Sequence, residues 1–347
     1  MSAASVTGSV RALSSAILRR EESSFPLRTL DPFLFCVFHL DMYPSGDPAH
    51  MRAPIRGDGA DFTLTKSKPF RMYHGEGVPG FPVHPHRGFE TLTVTLQGLV
   101  DHADSIGASG RYGEGDLQWM NAGRGVQHQE MFPLVKVKAP NTLKLYQLWL
   151  NLPARSKMSQ PEYKMQWAEN VRSVAGEGGA KALCYVGRLG EAVGAEPPPQ
   201  SWAADASHHV GVFILCLPPG GGFTLPPEPG AGVQRMAYVT MGSVEGVESD
   251  KTTLTLDPTK AHPFTNTGAE YAEVLVLQGV PIGEPVAQQG PFVMNTRAEL
   301  AKAYSDFRET GFGVRVACCP YLSRATHSTN LPCPHNPAPR PQLLPAA

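Results

Sequence analysis

Short β-type runs, each closed by turn residues, recur about every 10 to 15 positions in two series along this chain. The first series includes TLTVTLQGLV (91–100), DLQWMNAG (116–123) and LKLYQLWLNL (143–152). The second includes KALCYVGRL (181–189), HHVGVFILCL (208–217), RMAYVTMGSVEG (235–246) and AEVLVLQGVPIG (272–283). Such spacing predicts a β-sandwich or barrel and leaves little chain for helices. The 35 glycines and 33 prolines supply the punctuation. The two series share one rhythm, so a duplicated all-β fold is expected, with the polar stretch 154–181 as the link. The division this predicts is a flexible N-terminus at 1–24, an N-terminal unit at 25–155, a C-terminal unit at 156–312 and a disordered tail at 313–347. A length of 347 residues suits two domains of ordinary size. Residues 42–80, rich in Gly, Pro and charge, read as a long surface excursion.

One helix is predicted, at about 296–310. Thr296 and Glu299 form a capping box, Leu300, Ala303, Tyr304 and Phe307 make an apolar stripe to pack on a sheet, and Gly311 is a stop. The first twenty residues contain no acid, carry Arg11, Arg19 and Arg20, and place Val6, Val10, Leu13 and Ile17 on one helical face. That is the composition of a mitochondrial presequence, with a disordered or strand-forming segment as the alternative. Among six cysteines, Cys184 and Cys216 sit in apolar runs as buried free thiols, and no CxxC occurs, which points to a reducing compartment. Cytoplasm or nucleus is therefore the expected location. A formal net charge of −1 and 18% charged residues argue against gripping a phosphate backbone. No run reaches the roughly 18 apolar residues of a membrane helix.

Two short patterns carry chemistry. FPVHPHRGFE (81–90) holds His84 and His86 two apart, and QHQE (127–130) holds His128 and Glu130 two apart. Residues i and i+2 of a strand share a face, so each pair can present both groups to one point. If the two strands lie together, three imidazoles and a carboxylate converge. This N3O set suits Fe(II), Mn, Co, Ni or Cu and lacks the thiolates of a structural zinc site. Gly123 and Gly125 are expected to make the tight turn that presents His128. His39, His74, His102, His208, His209 and His262 read as ordinary core or surface residues. His327, Cys333 and His335 in the tail lack a closed zinc spacing.

HPHRGFETLTVTLQG and GDLQWMNAGRGVQHQEM closely resemble the pirin branch of the cupin superfamily, as do LDPFLF (30–35) and GPFVMNTRAEL (290–300). The matching segments bracket residues 30 to 311. The resemblance implies a bicupin, two stacked antiparallel β-barrels, with one Fe2+ in the N-terminal barrel and Mn, Co, Ni, Cu or Zn as alternatives. Position by position it puts the metal ligands at His84, His86, His128 and Glu130. Glu90 falls where many other cupins keep a glutamate ligand. In pirins that role passes to Glu130, leaving Glu90 behind the ligands or as an alternative donor. Gln118 and Trp119 fall on a family-typical strand, with Trp119 as core. The acidic pair many pirins carry after LDPFLLF is replaced here by Cys36, Val37 and Phe38, and the 42–80 segment is longer, a change that would bear on substrate choice.

Pirins resemble quercetin 2,3-dioxygenases. The implied activity is opening of a flavonol-like ring by O2, with Glu130 as metal ligand and general base. A different class of function is an iron-binding transcriptional co-regulator that works through protein contacts. Neither involves direct nucleic-acid or membrane binding, and a monomer is expected. The second barrel should be metal-free, because TLPPEPGAG (224–232) stands where the first has VHPHRGFE.

Overall fold

The strand Phe89–Gln97 shows how the chain layers. Leu92 and Val94 point into one apolar cluster, while Thr93 on the opposite face reaches Glu130. Both faces are buried, so the strand lies in the middle of the molecule. In the computed structural model its sheet runs Glu162–Gln166, Asp116–Asn121, Phe89–Gln97, Asn141–Asn151, Phe33–Tyr43, all antiparallel. The other sheet of this unit runs Gly80–His86, Val126–Met131, Leu99–Asp104, Ser109–Gly113. The structure describes residues 16–53, 59–60, 70, 72–73, 78–247 and 252–313.

The second unit has a seven-stranded sheet in the order Ile17–Glu22, Thr252–Leu256, Gln234–Met241, Ala272–Gly279, Gly211–Leu217, Lys181–Val186, Arg172–Ala175. A small pair, Gly222–Leu225 with His262–Thr265, covers one face through Phe223, Leu225 and Phe264. Its other face meets the first unit. Leu92, Val94, Trp119, Tyr146 and Leu148 pack there against Val212, Ile214, Met236, Tyr238 and Leu275. The duplicated all-β bicupin layout is therefore present. Its sheets are open: each unit is a large sheet facing a smaller one, a sandwich where closed barrels were expected.

Segments near both limits of the described residues cross between the units. Ile17–Glu22 pairs antiparallel with Thr252–Leu256, and the Asp257 N–H donates to the Ala16 carbonyl. The expected flexible segment 1–24 is thus corrected over 17–22, which caps the edge of the C-terminal sheet with Ile17 against its core. The presequence reading overlaps this strand at 17–20, and its residues 1–15 lie outside the described ones. Glu162–Gln166 pairs with Asp116–Asn121, so chain beyond the expected 155/156 boundary still belongs to the first sheet. The helix forms at Arg297–Thr310 with both capping-box bonds and Gly311 left-handed at φ 59°. Leu300 and Ala303 pack on Phe292 and Met294, the neighbouring two-stranded ribbon. Arg87 clamps this segment to the first unit: Val293 N–H donates to its carbonyl at 3.0 Å and its guanidinium meets Asp306 at 2.8 Å. The tail from 314, and most of 54–77 in the excursion, lie outside the described residues.

A chain beginning at residue 25 loses the edge strand and its ladder. Backbone bonds worth about 1 kcal/mol each net predict a loss of about 2–3 kcal/mol. Urea unfolding checks this, and an unchanged midpoint would mean that the strand is dispensable.

Candidate metal centre

Strand pairing assembles the site. Gly80–His86 lies antiparallel to Val126–Met131, with His84 opposite His128 and a register shift before Glu130, which falls opposite Phe81. On the other side, Leu99–Asp104 sets His102 opposite Glu130. Val126–Met131 is central, so its inward side chains can be reached from both neighbours. The preceding turn needs glycine: Gly123 and Gly125 have φ of 41° and 132°, and a Cβ on them would collide with the Ser159 carbonyl and the Phe312 ring.

The donor nitrogens of His84, His86 and His128 lie within 4.8 Å of one another. His84 Nδ1 sits 2.7 Å from the Pro82 carbonyl, which can only accept, so Nδ1 carries the proton and Nε2 presents a lone pair. That Nε2 is 3.0 Å from His128 Nε2. Two nitrogens about 2.1 Å from one ion, at right angles to it, stand about 3 Å apart, so the spacing suits a shared ion. Burial pushes the pKa of all three imidazoles below 6.5. His84 adds to the effect at His86 and His128, while the Pro82 carbonyl and Glu130 oppose it at His84. Neutral imidazole is the form that binds metal. His86 Nδ1 and His128 Nδ1 are buried without a hydrogen-bond partner. Neutral converging nitrogens and an adjacent carboxylate fit a divalent metal.

Glu130 is buried beside this triad and forms an adjoining group with His102 and His128. Its Oε1 accepts from Thr93 Oγ1 and Tyr112 Oη at 3.2 Å each, and its Oε2 from Gln147 Nε2 at 2.8 Å. Burial, then the neighbouring Glu130 charge, raises the Tyr112 phenol well above its usual value, so it stays a donor. Gln118 Oε1 lies 3.2 Å from the same Tyr112 hydroxyl, whose single proton it shares with Glu130. Sequence reasoning set His102 among ordinary histidines. The available signal was DHAD, a third i, i+2 pair of polar groups (His102, Asp104) on a β-run.

Family models describe both halves of the chain: the pirin model matches residues 54–150 and the pirin C-terminal cupin domain matches 213–313. A pirin-like protein of Caulobacter vibrioides is 36% identical over 241 residues, which are 67% of this chain and 80% of the relative. The chain belongs to the pirin family. A pirin-like protein of Solanum lycopersicum is 32% identical over 300 residues, 84% of this chain and 86% of its own. Among solved structures, a quercetin 2,3-dioxygenase of Acinetobacter baumannii superposes with a TM-score of 0.67 at 28% identity, covering 86% of this pirin and 98% of that chain.

In this pirin, both groups of three converging ligand side chains found among the described residues belong to the N-terminal unit. His262 in the second unit stands opposite Leu225, its pKa pushed down to about 4 by burial and then by Arg235.

Glu90 points away from the centre. Its carboxylate accepts from Trp119 Nε1 at 3.0 Å and from Ser201 Oγ at 2.6 Å, at the interface between the units. The alternation of Phe89–Gln97 puts it on the Leu92 face, so the alternative-donor reading of Glu90 is corrected. Trp119 is core, 1% exposed. Burial pushes the Glu90 carboxyl up to about 8, against the pull of its two donors. With the folded pKa above the unfolded one, stability is full below about 4.5 and declines as pH rises toward 8. Relative to Glu90→Gln, the wild type should lose about 1.4 kcal/mol per pH unit across that window. Parallel pH–stability curves for the two proteins would show that Glu90 is not buried as a neutral acid.

Proposed function

We propose that this pirin is an iron-dependent dioxygenase of the quercetin 2,3-dioxygenase type, cleaving a flavonol-like substrate with O2 to a depside and carbon monoxide. The observation that carries the reading is the convergence of His84, His86 and His128 beside the buried Glu130. The similarity to the Acinetobacter quercetin 2,3-dioxygenase supports it. His84, His86, His128 and Glu130 would hold Fe2+. A bound divalent metal supplies Lewis acidity that lowers the pKa of a flavonol hydroxyl and a template that orients the reactants.

The chain's own contribution is a placed base. Both lone pairs of Glu130 Oε1 are engaged by Thr93 and Tyr112, while Oε2 accepts only Gln147. The open lone pair on Oε2 is therefore the one free position of the carboxylate, which would serve the metal and, once substrate is bound, take the 3-hydroxyl proton. Phe81, its ring centre 6.2 Å from that of His84, offers apolar surface to an aromatic substrate, and Phe132 backs it edge-on from the core at 6.0 Å.

Elemental analysis of purified protein, paired with flavonol-dependent oxygen uptake, tests the proposal. About one iron per chain and uptake matched by carbon monoxide release are expected. Iron-loaded protein that turns over no flavonol would reject the enzymatic reading in favour of iron-dependent partner binding, which a pull-down with iron-loaded and apo protein would then show.

A further inference from the structure

His102 lies outside the pirin ligand set, yet it is placed as a ligand would be. It is 2% exposed, and its Nε2 is 3.0 Å from Asp104 Oδ2. A carboxylate accepts, so Nε2 carries the proton and Nδ1 keeps its lone pair. That lone pair has one long contact, 3.4 Å from Gln118 Nε2. Histidines that bind metal typically donate their other N–H to a carboxylate or carbonyl, which fixes the tautomer. His84 does this with Pro82, and His102 does it with Asp104. Asp104 is itself held: its Oδ1 accepts the N–H groups of Ile106 and Ala108 at 3.0 and 2.9 Å. The donor atoms of His102, His128 and Glu130 lie within 4.8 Å of one another, the same limit that holds for the triad.

We propose that the pocket offers one metal ion two overlapping seats, the His84–His86–His128 triad with Glu130 and the group His102–His128–Glu130, with His128 and Glu130 common to both. The second seat brings the ion to the His102 side of the pocket. The inference rests on the proposed metal reading, and Asp104 is a positioning residue that acts through the tautomer of His102.

Co2+ binding to the otherwise intact chain, followed by visible ligand-field absorption, tests the second seat without reference to turnover. His84→Ala removes one donor from the first seat at the half-buried rim. It should still bind about one Co2+ per chain, through His102, His128 and Glu130. Adding Asp104→Asn should weaken that binding by about 10- to 100-fold, the usual cost of losing an outer hydrogen-bond partner. The asparagine keeps Oδ1 for the turn but presents an amide N–H to His102 Nε2, which moves the ring proton to Nδ1. His84→Ala/His102→Gln should bind as weakly, and apo melting temperatures near that of apo His84→Ala would show that the fold is intact. Equal Co2+ affinity with and without Asp104→Asn, or no binding by His84→Ala while the wild type binds, overturns the second seat alone. A wild type that binds no Co2+ overturns both this inference and the metal reading beneath it.

Discussion

Glu130→Gln should retain most of its metal and lose flavonol turnover by about 10²–10⁴-fold, the usual worth of a general base. The local structure tolerates the amide. Its oxygen can face Gln147 Nε2, and its NH2 can face the Thr93 and Tyr112 hydroxyls, which rotate to accept. Three imidazoles remain for the metal, while the anion that takes the proton is gone. His128→Ala should behave in the opposite sense. His128 belongs to both donor groups and occupies the central strand, so its loss should leave the protein metal-poor. Bound iron and oxygen uptake, measured on both variants, separate the two roles. Full turnover in metal-loaded Glu130→Gln would reject the base assignment. Glu90 could not replace it, since its side chain lies on the opposite face of its strand.

Lys144→Met should destabilise the fold by about 3–5 kcal/mol, because it leaves a buried charge without its partner. Lys144 Nζ is 2.7 Å from Glu273 Oε2, and the pair spans the two units. Tyr146 Oη donates to Glu273 Oε1 at 2.8 Å, and Tyr271 Oη lies 3.2 Å from Oε2. These neutral donors soften the loss of the cation without cancelling it, since the Glu273 side chain is 1% exposed. Replacing both partners by apolar residues, as in Lys144→Met/Glu273→Leu, should recover much of the loss. Urea unfolding of the single and double variants reads this directly. A single variant within about 0.5 kcal/mol of wild type would mean that water screens the pair as it screens a surface ion pair.

What was legible in the sequence was local. The capping box at Thr296 and Glu299 and the stop at Gly311 are set by residues a few positions apart, and the helix forms there. The i, i+2 pairs at His84/His86 and His128/Glu130 are dictated by strand alternation, which needs only that each segment be a strand. Two series of β-runs were enough to predict a duplicated β-fold. Partner choice and register, which the sequence does not encode locally, were decided by the tertiary structure. Pairing of Leu99–Asp104 with Val126–Met131 brings His102 opposite Glu130, a partner that the DHAD spacing does not name. The side of the sheet that Glu90 faces follows from which sheet packs on which, and that made it an interface acid bound by Trp119 and Ser201. Ile17–Glu22 left the expected flexible end because an unpaired sheet edge far along the chain offered it a ladder of hydrogen bonds. Strand identity follows from side-chain alternation, but its neighbours follow from burying the most apolar surface while leaving the fewest backbone groups unpaired, and that balance is struck only by the whole fold.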